Sequence, residues 1–199
     1  MQPFYFKSTS ALKFMDITIR PATPADHEPT IALQTNAFRI LCAQDYTPKQ
    51  IEALVEDEAR SRHIDEVLFV AEMDGDMVGF TGLSTSDRQI TAVFVCPNLA
   101  RQGIGKQMLA TLEREAMKRG YRVLWVLSSL TAAPFYQAQN YTRIGKAGFW
   151  SPSGNCWIPC IKLQKRLLPA TFAEKYGIGI VVMLFLLLVT IVFLINMLS

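Results

Sequence analysis

Histidine is scarce in this sequence, with only His27 and His63 in 199 residues, and the four cysteines fall in no zinc-binding spacing. No metal centre is expected from such a set, and Cys42, Cys96, Cys156 and Cys160 read as reduced, structural thiols. Charge of one sign is also short: a formal net charge of +3 leaves no basic footprint for nucleic acid. Residues 1–14 carry Lys7 and Lys13 but no continuous apolar core, so they read as a flexible extension rather than a secretory signal. Met15 stands directly before the first strand-like run.

Polar side chains nearly vanish in one place. Residues 177–198 hold no charge, and only Thr190 and Asn196 are polar. At about 1.5 Å per residue the run spans roughly 33 Å, the thickness of a hydrocarbon core. A core helix of a globular domain needs polar positions at helical spacing, and this run has none. A transmembrane helix at 177–198 is therefore expected, tethered through a basic linker at 166–176. Lys162, Lys165, Arg166 and Lys175 precede it, so the positive-inside rule puts the preceding domain, residues 15–165, on the cytoplasmic face.

That domain alternates strand and helix signals. Ile17–Arg20 alternates and breaks at Pro21, as a first strand does. Ile31, Leu33, Ala37, Phe38 and Leu41 form an apolar stripe at helical spacing. Thr47 and Pro48 are the N-cap and first residue of a second helix, which buries Ile51, Leu54, Val55 and Ala59. Its other face, with Glu52, Glu56, Asp57 and Glu58, is a solvated surface or an attraction for a cationic substrate. Val67–Glu72 and Met77–Leu83 flank Asp74-Gly75-Asp76, a hairpin signal. Ile90–Val95 is the next strand. Ile104, Met108, Leu109, Leu112, Ala116 and Met117 then repeat at helical spacing up to Gly120, a C-cap. Tyr121–Leu127 is a buried strand, and Thr131 with Pro134 opens a short helix that leaves through Asn140. Two strands near Tyr141–Lys146 and Cys156–Leu163 enclose a loop at Ala147–Asn155. The order gives a mixed α/β layer around one sheet.

The chemistry concentrates at Val93–Lys106. An apolar run stops at Pro97, a polar loop reaches Gly103-Ile104-Gly105, and a helix begins at once. Strand, glycine loop and helix N-terminus together aim several backbone N–H groups and the positive helix end at one spot, an anion site. The segment resembles motif A of the GNAT N-acetyltransferase superfamily, whose loop holds the pyrophosphate of acetyl-CoA. The usual form has Gln or Arg three residues before the first glycine, where this chain has Ala100. Arg101, Gln102, Gly103, Ile104, Gly105 and Lys106 are then the expected cofactor contacts. The resemblance also implies that the strand carrying Val93 and Val95 splays from the next one, with the pantetheine arm in the gap and the Val95 amide at the oxyanion. No residue in Ala92–Cys96 marks the bulge that such a splay needs. The implied fold is a GNAT-like, mostly antiparallel sheet flanked by helices, followed by the C-terminal transmembrane helix.

The stretch from Ser128 to Tyr141 resembles motif B of the same superfamily: Ala132, Phe135, Tyr136 and Tyr141 match, and Asn140 replaces the usual glycine. The resemblance makes Ser128 and Ser129 further cofactor contacts and Tyr136 the general acid for the departing CoA thiolate. A phenol with an ordinary pKa near 10 can give a thiolate its proton and stay neutral at pH 7. The alternative for Tyr136 is packing alone. The base is not assigned: relatives often carry a Glu on the fourth strand, Gln89–Val93 has none, and Asp87, His27, His63 or water remain. Two functions stay open, an acetyl-CoA-dependent N-acetyltransferase acting on an amine at a membrane, and a CoA-binding or protein-interaction module that has lost turnover.

Overall fold

The computed structural model describes residues 16–60, 65–169, 180–188 and 190. Seven strands form one sheet: β1 (Ile17–Pro21), β2 (Glu66–Met73), β3 (Asp76–Ser84), β4 (Gln89–Val95), β5 (Val123–Ser128), β6 (Thr142–Ser151) and β7 (Cys156–Arg166). Their spatial order is β1-β2-β3-β4-β5-β7-β6, and all neighbours are antiparallel except β4 and β5. Helices α1 (His27–Leu41) and α2 (Pro48–Arg60) cover one face; α3 (Ile104–Lys118) and α4 (Ala133–Ala138) cover the other. The expected mixed, mostly antiparallel sheet is present.

Each helix forms where its apolar stripe and its ends agree. The Gln50 amide donates to Thr47 Oγ1 and the Thr47 amide to Gln50 Oε1, the reciprocal bonds that start α2. On α3, Ile104, Met108, Leu109, Leu112 and Ala116 are all buried against the sheet. Burial of each of the four larger side chains contributes roughly 1.5–3 kcal/mol. The helix ends at Gly120 (φ 77°), where the Tyr121 amide donates to Ala116 O at 2.9 Å. Asn140 (φ 66°) gives α4 its left-handed exit, as its sequence position implies.

A 3-10 turn at Pro24–Asp26 leads into α1, and the Asp26 carboxylate accepts from the Thr23 amide and hydroxyl and from Arg20. Three local expectations change. Thr131 does not cap α4, because its hydroxyl donates to Asp45 at 2.6 Å; Ser129 Oγ instead accepts the Ala132 amide. Most of the expected loop at Ala147–Asn155 is strand. Strand β6 runs to Ser151 because Phe149, Trp150 and Ser151 find cross-strand partners in Ile158, Trp157 and Cys156, leaving only a four-residue turn. Finally, β7 runs one residue into the expected linker. The Leu167 amide then donates to Arg122 O, and Arg122 donates to Pro169 O.

The extension at 1–14, His63 and Lys175 lie outside the described residues. Of the apolar run at 177–198, residues 180–188 are helical with exposed side chains, and most of the remainder lies outside the described residues. No helix among the described residues is long and apolar enough to cross a membrane.

Asp26 ties the first strand to the first helix. Arg20 grips it through two guanidinium nitrogens at 2.8 and 3.0 Å and also reaches Glu72 at 2.6 Å. These donors hold the Asp26 carboxyl well below the usual carboxylate range, with the Arg20 bond the largest cause. A depressed carboxyl stabilises the fold above its unfolded pKa and loses that contribution as pH falls. Asp26→Asn is therefore expected to lower the thermal midpoint at pH 7. Its deficit should shrink as the pH falls through about 4 and below. Thermal scans of both proteins from pH 7 to pH 3 check this.

Candidate active site

The site begins with one surplus residue in β4. Leu83 pairs with Ile90 and Gly82 pairs with Ala92, so Thr91 has no partner of its own on β3. A bulge of this kind bends the strand and ends regular pairing. On its other edge β4 pairs with β5 only at Gln89–Trp125 and Ile90–Val126. Beyond Ile90 the two strands part. The sequence held no mark of this bulge within Ala92–Cys96 because it sits one residue earlier.

A cavity of about 770 Å³ fills the gap. Thr91 to Val95 form one wall and Val126 to Ser129 the other, with Phe135 and Tyr136 of α4 and Phe38 and Leu54 of α1 and α2 closing it. The Cys96 amide donates to Val78 O, so by antiparallel alternation Ala92 and Phe94 also face β3 with their main-chain groups. The N–H and C=O groups of Val93 and Val95 then point into the gap. Both residues were expected to line it through their main chain, and both do line it.

The glycine loop follows at the open end. Arg101 (φ 66°) and Gly103 (φ 86°) are both left-handed, which folds the loop so that α3 starts at Ile104. The first amide of the helix to bond backwards is that of Gln107, to Gly103 O at 3.1 Å. The amides of Ile104, Gly105 and Lys106 therefore have no acceptor within the helix and form its positive end. Arg101, Gln102, Gly103 and Lys106 are exposed. Of this set Arg101 also lines the cavity, and Ile104 is instead fully buried through its side chain. The two glycines differ in purpose. A Cβ at Gly103 would meet nothing but would need a left-handed backbone, whereas a Cβ at Gly105 would touch Phe135 and Val95 at 3.4–3.6 Å, ordinary packing distance.

Ser128 and Ser129 line the cavity, yet their hydroxyls are engaged locally. Ser128 Oγ donates to Ser129 O at 2.8 Å, and Ser129 Oγ accepts from Ala132 at 3.1 Å. Tyr136 is 4 % exposed and lines the cavity, with Phe135 and Tyr141 edge-on at 5.1 and 5.5 Å. Burial pushes its phenol pKa up. Among the described residues no hydrogen bond ties its hydroxyl, unlike its two tyrosine neighbours in the fold. Tyr141 donates to Glu113, itself gripped by Lys165 at 2.8 Å. Tyr46 donates to Pro159 O and accepts the Leu130 amide.

Splayed strands, inward main-chain groups and a helix N-terminus at the open end form a cleft for a long ligand with an anionic head. The profile described as the acetyltransferase (GNAT) domain matches residues 42–150. The chain belongs to the GNAT acetyltransferases. It is an acyltransferase, and its relatives agree. It is 28% identical over 132 residues to the uncharacterized N-acetyltransferase YafP of Escherichia coli K12, covering 65% of this chain and 83% of that one. It is 30% identical over 142 residues to an uncharacterized N-acetyltransferase of Archaeoglobus fulgidus, covering 65% of this chain and 96% of the other. A GCN5-related N-acetyltransferase crystal structure from Rhodopseudomonas palustris superposes with a TM-score of 0.70 at 25% identity, over 78% of this chain and 99% of that chain. The PaiA N-acetyltransferase of Thermoplasma acidophilum, solved in complex with coenzyme A, shares the fold with a TM-score of 0.59 at 18% identity, over 76% and 99% of the two chains.

Sequence reasoning missed Thr91, because Ile90, Ala92 and Phe94 alternate as in a regular strand and only the pairing with β3 puts Ile90 and Ala92 on opposite faces. Of the proposed bases, Asp87 and His27 are exposed and neither lines the cavity; His63 lies outside the described residues. The contrast between the glycines is testable by denaturation. Gly103→Val should cost roughly 1–3 kcal/mol through its positive φ. Gly105→Ala should stay within about 1 kcal/mol of the native protein, gaining helix propensity.

Proposed function

We propose that this enzyme moves the acetyl group of acetyl-CoA directly to the amine of an acceptor with an apolar body, and works at the cytoplasmic face of a membrane held by residues 177–198. The observation that carries the catalytic part is the gap opened at Thr91, with Val93 and Val95 main-chain groups on one side, Tyr136 on its wall and the free amides of α3 at its mouth.

The donor fits that gap as an extended molecule. Its pyrophosphate meets the amides of Arg101–Lys106, with Arg101 and Lys106 adding charge. The pantetheine arm pairs with Val93 and Val95 as an added strand would, and one of their amides polarises the thioester carbonyl. Such a donor is worth about 10²–10³ in rate where charge develops on the oxygen. Ser128 and Ser129 shape the opposite wall. Tyr136 hands its proton to the departing thiolate. Because burial disfavours the phenolate, the tyrosine recovers a proton from the attacking nitrogen as the C–S bond breaks.

The acceptor side of the cavity is built from Phe38, Leu54, Phe94, Phe149 and Ile158, and Arg101 is the only charged residue among the described ones lining it. Glu52 of the acidic α2 face is bound by Arg39 at 2.7 and 2.9 Å, and none of Glu52, Glu56 and Asp57 lines the cavity. A monoamine on an aromatic or aliphatic frame suits these walls better than a polycation. A module without turnover is the weaker reading, since an enclosed unbonded phenol beside the gap serves no evident packing need for its oxygen.

Tyr136→Phe keeps the ring and removes the proton. It is expected to lower kcat about 10²-fold or more with CoA affinity unchanged. Free-thiol release from acetyl-CoA with a panel of amines, alongside calorimetric CoA binding, measures both. Equal kcat would assign Tyr136 to packing.

The membrane part rests on the uncharged run at 177–198, in which each central Leu, Ile, Val or Phe favours insertion by roughly 0.3–0.6 kcal/mol. The full chain is expected to stay in the pellet through a carbonate wash. A chain ending at Pro169, which keeps the Arg122 contacts, should be released. Release of both would remove the anchor from the reading.

A further inference from the structure

The bulge that opens the cleft also brings a carboxylate to its vertex. Thr91 Oγ1 donates to Glu66 Oε1 on β2, across the whole width of β3. Such a bridge is possible only because the intervening residue is Gly82. A Cβ there would fall among Glu66 Oε1, Thr91 Oγ1 and Leu68, in the space where the two polar groups meet. The pair lies on the face of the sheet that Phe80 shares, the face covered by α1 and α2. Thr91 lines the cavity; Glu66 stands behind it, half-buried, and among the described residues Thr91 is the one hydrogen-bond partner of its carboxylate.

We propose that Glu66 receives the proton of the incoming amine, with the Thr91 hydroxyl as the relay between cavity and carboxylate. The proposal rests on the acetyl-transfer reading above and identifies the base that reading lacks. Position favours this pair over the other carboxylate near the cavity. Asp45 also accepts from a lining hydroxyl, Thr131 at 2.6 Å, but that contact lies beyond Ser128, past the open end of β5. Thr91 instead sits where β4 and β5 close on each other at Ile90 and Val126, the end of the gap farthest from the glycine loop, where the acyl end of an extended donor arrives. Tyr136 packs with Val126 on the opposite face. The acid for the thiolate and the base for the amine then approach the thioester from opposite sides of the sheet.

The proton count closes. The ammonium gives one proton to Thr91 Oγ as the Thr91 hydroxyl proton passes to the Glu66 carboxylate, and half-exposed Glu66 returns it to water. The freed lone pair forms the C–N bond, and the C–S bond breaks as Tyr136 protonates sulfur. The nitrogen's surplus proton restores Tyr136. The products are an amide, a thiol and one released proton.

The test follows CoA thiol release from pH 6.5 to 8.5, with 2-phenylethylamine as the probe and also without amine, where water is the acceptor. Glu66→Gln is expected to lower both rates about 10²-fold at pH 7, with CoA affinity unchanged. Its amine reaction should steepen towards a tenfold gain per pH unit, because only amine deprotonated in bulk water then reacts. A purely structural role would lower rates without steepening that profile. Thr91→Val should follow Glu66→Gln, while Thr91→Ser should stay within about threefold of the native rate. Should Glu66→Gln not fold, the two Thr91 variants decide alone. Native rates and profile in a folded Glu66→Gln or Thr91→Val protein that binds CoA would overturn the relay. Absence of CoA binding by the native protein would overturn the acetyl-transfer reading instead.

Discussion

Everything in the site depends on β4 holding one residue too many. Parallel strands in a sheet normally stay paired along their length, since an unpaired backbone edge buried from water is costly. Here the pairing of β4 and β5 stops after Ile90 and Val126 because Thr91 takes up a residue without a partner on β3. The main-chain groups of Val93 and Val95 are left without a partner strand and line the cavity, the groups that the proposed reading gives to an extended donor. The cleft is thus an interrupted sheet edge. It runs from Thr91 to the end of β4, beside the first turn of α3.

The sheet divides the work. On one side α3 and α4 bury Tyr136 with Val126, Leu124 and Leu163 in a dry cluster where a phenol stays protonated. The Glu113–Lys165–Tyr141 network ties that side together: it binds α3 to β7 and to the exit of α4, so the ring that packs edge-on against Tyr136 is itself fixed. On the other side Tyr46 joins the chain entering α2 to β7 and to the loop after β5 through Pro159 O and the Leu130 amide. The β5 side of the gap is therefore held from both faces, through β7 and through the loop that follows β5.

What the sequence disclosed followed from how local each signal was. The α3 stripe, the Thr47 cap, Gly120 and Asn140 act within one turn of backbone, and each sits where its residue type requires. Gly103 could be read from its neighbours, whereas at Gly105 a Cβ would meet Phe135 and Val95 only at ordinary packing distance. The bulge at Thr91, the extension of β6 to Ser151 and the Ser129 cap could not be read, because each is decided by a partner distant in sequence: Gly82, Trp157 and Asp45, which engages the Thr131 hydroxyl and leaves the Ala132 amide to Ser129. Glu66 is the extreme case. It lies 25 residues from Thr91, and an acid sought on the fourth strand is found two strands away, visible only after Gly82 is seen to leave room for it.

The same topology bears on where an acceptor enters. Strand β7 leaves the sheet at Arg166 opposite Val123, the first residue of β5, while the cavity wall begins at Val126 and runs to Ser129. Four residues of strand, Val123 to Val126, cover about 10 Å at 3.3 Å per step. The chain then folds back on Arg122 through Leu167 and Pro169, which fixes its departure at the end of the sheet remote from the glycine loop. The exit of β7 and the open mouth of the cleft therefore lie at opposite ends of β5, so a molecule reaching the mouth does not pass the departing chain.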